Sequence, residues 1–306
     1  MQGLYAELDA LYARGDRAAI EERLKGALSD LEAQGCAETG EYAALCNELG
    51  GFYRGESRFD EAEPLFARAL EIFRALGMEN TAQYATVLLN LAGLYRLTGR
   101  PQRAVSLLES VRDGLSSLAG GDAYLRAAVL NTLSLACQDA GALDKAIAAA
   151  EEAFAIVQTQ RDTDHEVATA LNNLAALYTQ KGDLGTAEGL IDRALLLYAE
   201  MPEENVHHAN ALATKAALRY RAGAYHTALA HYMDAQGRIR RFFGENVEYA
   251  ACLSGIAAVY AALGEHHQAQ VHLSRAVEVL SARLGEDHPK TCAYRRALES
   301  IKGGDK

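Results

Sequence analysis

Six alanines recur at nearly constant spacing along the chain, and this period constrains the fold more than any other feature. Successive alanines lie 42, 42, 41, 41 and 41 residues apart. The column consists of Ala62, Ala104, Ala146, Ala187, Ala228 and Ala269. A period of about 20–50 residues is typical of repeat arrays, in which each unit buries its apolar face only by stacking on its neighbours. The sequence therefore predicts stacked repeats and no single central core.

Each repeat has the pattern of two amphipathic helices joined by a tight turn. In segment 83–115 the apolar residues of the first helix fall at i, i+3, i+4 and i+7, which is one helical face. They are Leu88, Leu91, Ala92 and Tyr95. Gly99 is suited to the end of this helix and Pro101 to the first turn of the next. Because Ala104 is small, the two helices of the hairpin can approach closely.

The same pattern covers most of the chain. Six repeats fit residues 41–284. Five residues before each alanine stands a turn residue, and we call this set the glycine column: Ser57, Gly99, Gly141, Gly182, Gly223 and Gly264. Residues 3–33 are expected to form a degenerate N-terminal hairpin, because Gly15 lies 42 residues before Ser57. An amphipathic helix over 286–302, with no partner helix after it, is expected to cap the array. We therefore predict one all-α repeat domain over 1–306.

Two segments resemble a known repeat family. Residues 171–188 place Ala175 three positions before Tyr178 and then Gly182 and Ala187, and residues 284–289 read Leu-Gly-Glu-Asp-His-Pro. These features resemble the tetratricopeptide repeat, in a kinesin-light-chain-like subtype longer than the usual unit of about 34 residues. The resemblance implies a right-handed superhelical solenoid of about seven antiparallel helical hairpins plus a C-terminal capping helix. It also implies that a peptide or partner protein binds in a concave groove lined by the first helices.

The groove positions follow from the resemblance together with the helical frame. They are counted from the residues that stand nine before each alanine, which we call the Tyr column: Tyr53, Tyr95, Cys137, Tyr178, Arg219 and Tyr260. The stripe that faces the groove lies nine, five and two residues before this column and one or two after it, and the residues six before it are included among the candidates. In peptide-binding members of the family, Asn at such positions commonly holds the ligand main chain, because an amide both donates and accepts hydrogen bonds. The alternative is that Asn is simply common at these positions in this repeat subtype and that the side chains are solvated and bind no ligand. The candidate binding residues are Asn47, Arg54, Asn90, Arg96, Asn131, Gln138, Asn172, Asn173, Thr179 and Tyr220.

Two of these candidates are basic and occupy the same column in adjacent repeats. Neighbouring guanidinium groups at Arg54 and Arg96 would suit a carboxylate or an acidic side chain of the ligand. The alternative is that both are solvated surface residues.

The fifth repeat departs from the pattern at two core positions. Lys215 and Arg219 stand where other repeats have an aliphatic residue and Tyr, and residues four apart share a helical face. A buried unpaired cation is costly. Either this hairpin is rotated, so that Tyr220 takes the aromatic position, or both cations reach an acid. Asp192 and Asp234 on neighbouring second helices are the candidate partners.

Composition and charge argue against several classes of protein. The net charge of −11 and the lack of a basic stripe argue against nucleic-acid binding. The first nine residues carry acids where a signal peptide needs basic residues, and no stretch approaches about 18 uncharged apolar residues, so we expect no membrane association. The five cysteines lack CxxC spacing and favour a reducing, cytoplasmic location.

The sequence offers no arrangement typical of catalysis or of cofactor binding. His226 and His231 are five apart, which is not the helical spacing of a metal pair, and no phosphate loop or catalytic triad is evident. We therefore predict a non-enzymatic protein-interaction scaffold without cofactor or metal. A peptide-sensing regulatory protein and an accessory subunit of a neighbouring enzyme are the alternatives. The oligomeric state is left open.

Overall fold

The described part of the protein is entirely helical. The computed structural model describes residues 2–115, 122–160, 164–201 and 206–303, and these residues form fifteen α-helices and no strand. The prediction of an all-α chain is thus confirmed. The helices are α1 Gln2–Arg14, α2 Arg17–Ala33, α3 Gly40–Gly55, α4 Phe59–Ala75, α5 Ala82–Leu97, α6 Pro101–Leu115, α7 Ala123–Asp139, α8 Leu143–Val157, α9 Asp164–Lys181, α10 Leu184–Glu200, α11 Val206–Arg221, α12 Tyr225–Phe243, α13 Val247–Ala262, α14 His266–Leu284 and α15 Pro289–Gly303.

The chain divides into two compact units. Unit 1 comprises residues 1–132 and unit 2 comprises residues 133–306, so that the boundary lies within α7. In unit 1 each helix from α1 to α6 packs on the next one in the chain, and α3 also contacts α5. In unit 2 the helices from α8 to α15 pack in the same sequential way, and α11 contacts both α9 and α13. The interpretation of residues 1–306 as one solenoid stays a prediction.

A left-handed residue ends the first helix of each hairpin. At Gly99 the backbone has φ 70°, and the next amide, Arg100 N, donates to Tyr95 O at 2.7 Å. This geometry satisfies carbonyl groups that the helix end would leave unpaired, and it reverses the chain within two residues. Ser57 adopts the same conformation with φ 59°, although left-handed backbone favours glycine. The short turns predicted from the glycine column are therefore present.

The alanine column lies where the helices approach most closely. All six of its members are fully buried, with 0% of their surface exposed. In the hairpin of α7 and α8, the Ser134 hydroxyl donates to Ala146 O at 2.8 Å. A side chain on one helix thus reaches the backbone of the other at the alanine itself. The residues of this column are small because the backbones of the two helices are near one another, as the pattern predicted.

The last helix covers the end of unit 2. It begins at Pro289, three residues later than the expected start, and packs against α14. Leu298 belongs to the same buried cluster as Val279 and Leu280 of α14. Removal of α15 would expose these apolar side chains to water.

The two cations of the fifth repeat, which is the hairpin of α11 and α12, are held by acids of α10. Lys215 is buried, and its Nζ donates to Asp192 Oδ1 at 2.6 Å and also to Glu188. Arg219 donates to Glu188 at 2.5 Å. Asp192 was one of the expected partners, whereas Asp234 instead accepts a hydrogen bond from Arg238.

The rotated alternative for this hairpin is wrong. Ala216 and Ala228 are fully buried, as are their counterparts in neighbouring hairpins, so the helical frame is unchanged.

Within the described residues, no helix is long and apolar enough to span a membrane.

Candidate functional site

Three of the predicted residues lie together in unit 1. Asn90 Nδ2 on α5 donates to Asn47 Oδ1 on α3 at 2.8 Å. Arg54 Nη1 on α3 lies 3.5 Å from Asn90 O, which is at the outer limit of a hydrogen bond. The predicted Asn residues therefore bond first to each other. Their remaining amide hydrogens and lone pairs are the groups that a ligand could use.

Arg54 is a partly buried cation. Burial lowers the pKa of its guanidinium, and no carboxylate in the described part of the chain forms an ion pair with it. Its Nη1 lies over Gly93 of α5, only 3.1 Å from where a Cβ would be. Arg96, one helical turn further along α5 from the same glycine, is also partly buried. The glycine thus leaves the space that the Arg54 guanidinium occupies.

The other candidates differ in how far neighbouring helices cover them. Asn131 in unit 1 and Asn173 and Tyr220 in unit 2 are partly buried. Gln138 Nε2 donates to Gln180 Oε1 at 3.0 Å, so these two amides pair across adjacent first helices. Neither observation tests whether these residues bind a ligand, and their assignment to a binding site stays a prediction.

Two candidates are buried, which corrects the expectation that they face an open groove. Thr179 is 4% exposed, and its hydroxyl donates to Ala175 O at 2.7 Å. Asn172 is 8% exposed, and its Oδ1 has no hydrogen-bond partner in the described part of the chain. The reason is that α9 packs against α8, α10 and α11, which together leave little of these two side chains open to solvent. The periodic pattern identified the face and not the depth to which the next helix covers it.

Unit 2 contains a pocket on the predicted groove face. Its volume is about 340 Å³, and it lies between α9, α11 and α13. We call it the unit-2 pocket. It is lined by Ala176, Thr179, Asn210, Ala213, Thr214, Ala217, Tyr232, Glu248, Ala251 and Cys252. Because many of these residues are alanines with short side chains, a ligand backbone could approach the helices closely.

Tyr232 enters this pocket from a second helix. Its ring occupies the space above Gly255 of α13, where any Cβ would overlap it. Burial raises the pKa of Tyr232, and its hydroxyl makes no hydrogen bond to the described residues. Because Tyr232 is on α12, the pattern of the first helices gave no signal for it. The glycine at position 255, where most repeats carry a hydrogen-bonding residue, was the signal that could have found it.

Polar groups at the rim of the unit-2 pocket can donate and accept hydrogen bonds. The side-chain amide of Asn210 makes no hydrogen bond to the described residues. Thr214 Oγ1 donates to Asn210 O at 3.1 Å and keeps its lone pairs as acceptors. Glu248 adds an exposed carboxylate. Asn210 and Thr214 fall nine and five residues before the Tyr column, so the predicted frame contains both, although neither was among the candidates.

Metal chemistry finds no support in the described residues. No group of three or more His, Cys, Asp or Glu side chains there could hold a metal ion. Apart from the Glu248 carboxylate, the unit-2 pocket presents neutral donors and acceptors around an apolar floor. Such a surface is suited to non-covalent binding of a polypeptide segment.

Comparison with known proteins places the chain among helical repeat proteins. A family model described as tetratricopeptide repeat matches residues 41–117, 125–200 and 207–280. A search of curated protein sequences gave no significant match. Among solved structures, the apo form of RapI has a TM-score of 0.72 at 13% identity, over 91% of this chain and 96% of that chain.

Two further structures are similar. A Rap protein complexed with competence and sporulation factor has a TM-score of 0.69 at 16% identity, over 92% of this chain and 75% of that chain. BtubC (BKLC) from P. vanneervenii has a TM-score of 0.57 at 22% identity, over 73% and 91%. At these identities the likeness concerns the fold.

Proposed function

Because the chain belongs to the tetratricopeptide repeat family, as its repeat residues predicted, we propose that it is a protein-interaction scaffold that binds a segment of a partner polypeptide. The observation that carries the proposal is the unit-2 pocket, because it lies on the face where the repeat frame places the groove. The scaffold carries out no reaction of its own. Its repeats act by presenting side chains in fixed positions.

The unit-2 pocket supplies the contacts that such a segment needs. Asn210 and Tyr232 offer unpaired polar groups, and the alanine floor lets a main chain come within hydrogen-bonding distance. A ligand that binds both groups removes the cost of leaving them partly buried without a partner. In unit 1, the Asn47–Asn90 pair and Arg54 offer a second set of donors on the same helix face.

The test is a titration with peptides selected from a random displayed library against the intact protein. The double variant Asn210→Ala, Tyr232→Phe removes two hydrogen-bonding groups and leaves the aromatic ring in place. At about 0.5–1.5 kcal/mol for each bond, affinity should fall roughly five- to a hundredfold. Thr227→Ala, at an exposed position of α12, is the matched control and should leave affinity unchanged.

Two results would overturn the assignment. Selected peptides that bind the double variant as tightly as the parent protein would place the site elsewhere. Failure of the library to yield any saturable ligand would argue against recognition of a peptide segment altogether.

A peptide-sensing role is the second candidate. It is supported by the similarity to a Rap protein whose structure contains competence and sporulation factor. A sensor differs from a passive scaffold because peptide binding must change its affinity for a second partner. The two roles separate in one measurement, the affinity for a captured protein partner with and without a saturating peptide. An unchanged affinity would reject the sensor.

A further inference from the structure

A second cavity lies in unit 1, between α1, α2 and α3. It has a volume of about 340 Å³ and contains Tyr12, Arg17, Ile20, Glu48, Phe52 and Glu56 in its lining. Gly51 and Gly55 complete the α3 wall, and a Cβ added at either would meet open space. We call this space the unit-1 cavity. It has room for a long side chain with an apolar stem.

The carboxylate of Glu48 is the uncompensated charge of this cavity. It is partly buried and forms neither a hydrogen bond nor an ion pair with the described residues. The other carboxylate, on Glu56, is neutralised by Arg17, whose Nη1 lies 2.9 Å from it. Burial raises the pKa of Glu48, because desolvation disfavours its ionised form. The cavity therefore carries one negative charge that the described residues do not balance.

Two tyrosines of α1 stand beside this carboxylate. Tyr12 is 50% exposed and Tyr5 is 36% exposed, and they lie seven residues apart on the same helical face. Burial raises the pKa of both hydroxyls, and the negative charge of Glu48 raises them further. Their rings thus sit in a negative field with an exposed surface. Aromatic faces in such a position attract cations.

The combination selects one class of ligand group. A carboxylate, an exposed ring and an apolar wall formed by Ile20 and Phe52 match an aliphatic stem that ends in a positive charge. A divalent metal ion would need several oxygen ligands, and Glu48 supplies the one carboxylate that is not already paired. An anion would be repelled. We propose that the unit-1 cavity takes a Lys or Arg side chain of the polypeptide ligand, an inference that rests on the proposed function.

A small probe tests the cavity without any partner protein. The intact chain, labelled with ¹³C in its tyrosine rings, is titrated with Nα-acetyl-arginine amide and, separately, with the neutral isostere Nα-acetyl-citrulline amide. We expect saturable shifts of the Tyr5 and Tyr12 signals with the arginine probe and markedly smaller ones with citrulline. The response should weaken at high salt, because the attraction is largely electrostatic.

The decisive variant removes the charge and keeps the shape. Glu48→Gln should weaken binding of the arginine probe by about tenfold, which corresponds to loss of a charged hydrogen bond. Glu22→Gln, on an exposed position of α2, is the matched control and should bind like the parent protein. Tyr12→Phe identifies the Tyr12 signal, and the ring retained in it preserves the attraction for the cation.

The proposal is overturned if the citrulline probe shifts the signals as much as the arginine probe, or if Glu48→Gln binds arginine as tightly as the parent protein. Neither result affects the peptide titration with the Asn210 and Tyr232 variants, which reports on unit 2. Conversely, loss of the unit-2 pocket as a peptide site leaves the response of Tyr12 to the arginine probe unchanged. The two ideas can therefore fail separately.

Discussion

Tyr232 of α12 lies over Gly255 of α13, in the space that any larger residue at position 255 would need. A side chain of a second helix thereby reaches the face that the first helices of unit 2 form. The position of the Tyr232 hydroxyl in the unit-2 pocket depends on this one absent Cβ.

We expect Gly255→Ala to displace the Tyr232 ring and to lower the free energy of unfolding by about 1–3 kcal/mol, because the core must expand around the added carbon. The measurement is the midpoint of urea unfolding followed by circular dichroism. Gly237→Ala on α12 is the matched control. A Cβ there meets open space, so this change should stabilise the helix by up to about 1 kcal/mol.

The steric explanation also predicts that changes at Tyr232 and Gly255 are energetically coupled. In a Tyr232→Ala background the clash no longer exists, so adding Gly255→Ala should then cost little. If the double variant loses as much as the sum of the single changes, the ring and the glycine are not coupled.

The alanine column should tolerate no large residue. Ala146→Phe on α8 should lower the free energy of unfolding by about 1–3 kcal/mol or more, because Ala146 is fully buried and its carbonyl accepts the hydroxyl of Ser134 on α7. Ala148→Phe lies two residues away at an exposed position and should change stability by only about ±0.5 kcal/mol. Equal losses in both variants would mean that the close approach at Ala146 is not what requires a small residue.

Lys215 is expected to be replaceable by the aliphatic residue that its column favours. The equivalent positions are Leu49, Leu91, Leu133, Leu174 and Ile256. Lys215→Leu leaves Glu188 paired with Arg219 and leaves Asp192 in contact with water, so the urea midpoint should be unchanged or higher. Lys215→Ala should instead lose about 1–2 kcal/mol, since it also removes the packing of the aliphatic stem. A large loss in the Leu variant would show that the ion pairs themselves stabilise the hairpin.

Glu48 should cost the free protein stability at neutral pH. Burial raises its pKa above the ordinary value of 4.5, so the folded state binds the proton more tightly than the unfolded chain. Stability then falls as the pH rises from 4.5 through the raised pKa. Around this carboxylate the titratable neighbours are Tyr5, Tyr12, Arg17 and Glu56.

Glu48→Gln should consequently raise the urea midpoint at pH 7 and have little effect at pH values well below 4.5, where the parent residue is protonated in both states. Glu22→Gln, at an exposed position of α2, should leave the urea midpoint at pH 7 unchanged. A lower midpoint for Glu48→Gln at pH 7 would indicate that the carboxylate is stabilised within the free protein, contrary to the role proposed for it.

Much of the architecture could be predicted because it repeats. The alanine and glycine columns recur at fixed spacing, and each encodes a local requirement, a close approach of two backbones or a left-handed turn. Those requirements hold wherever the hairpin lies, so one repeat could be read and extended to the rest. The ion pair between Lys215 and Asp192 could be predicted for the same reason, since the repeat pattern places both residues on facing helices.

The sequence could predict on which helix face the candidate residues lie, but not which contacts they make with neighbouring helices. Asn47 and Asn90 were placed on the correct helices, but their hydrogen bond to each other depends on the separation of α3 and α5. Thr179 and Asn172 were expected to be accessible, and the packing of neighbouring helices against α9 buries them. Periodicity gives the direction of a side chain from its own helix axis and contains no information about the distance to the next helix.

The sequence by itself determined the repeat, the positions of the turns and the family, because these follow from local spacing within one chain segment. Only the tertiary structure decided that Tyr232 reaches the predicted groove face, that Glu48 has no partner among the described residues and that the unit-1 cavity is open at Gly51 and Gly55. Each of these depends on side chains from several helices, so it is set by how the helices pack and cannot be read from the period of any one of them.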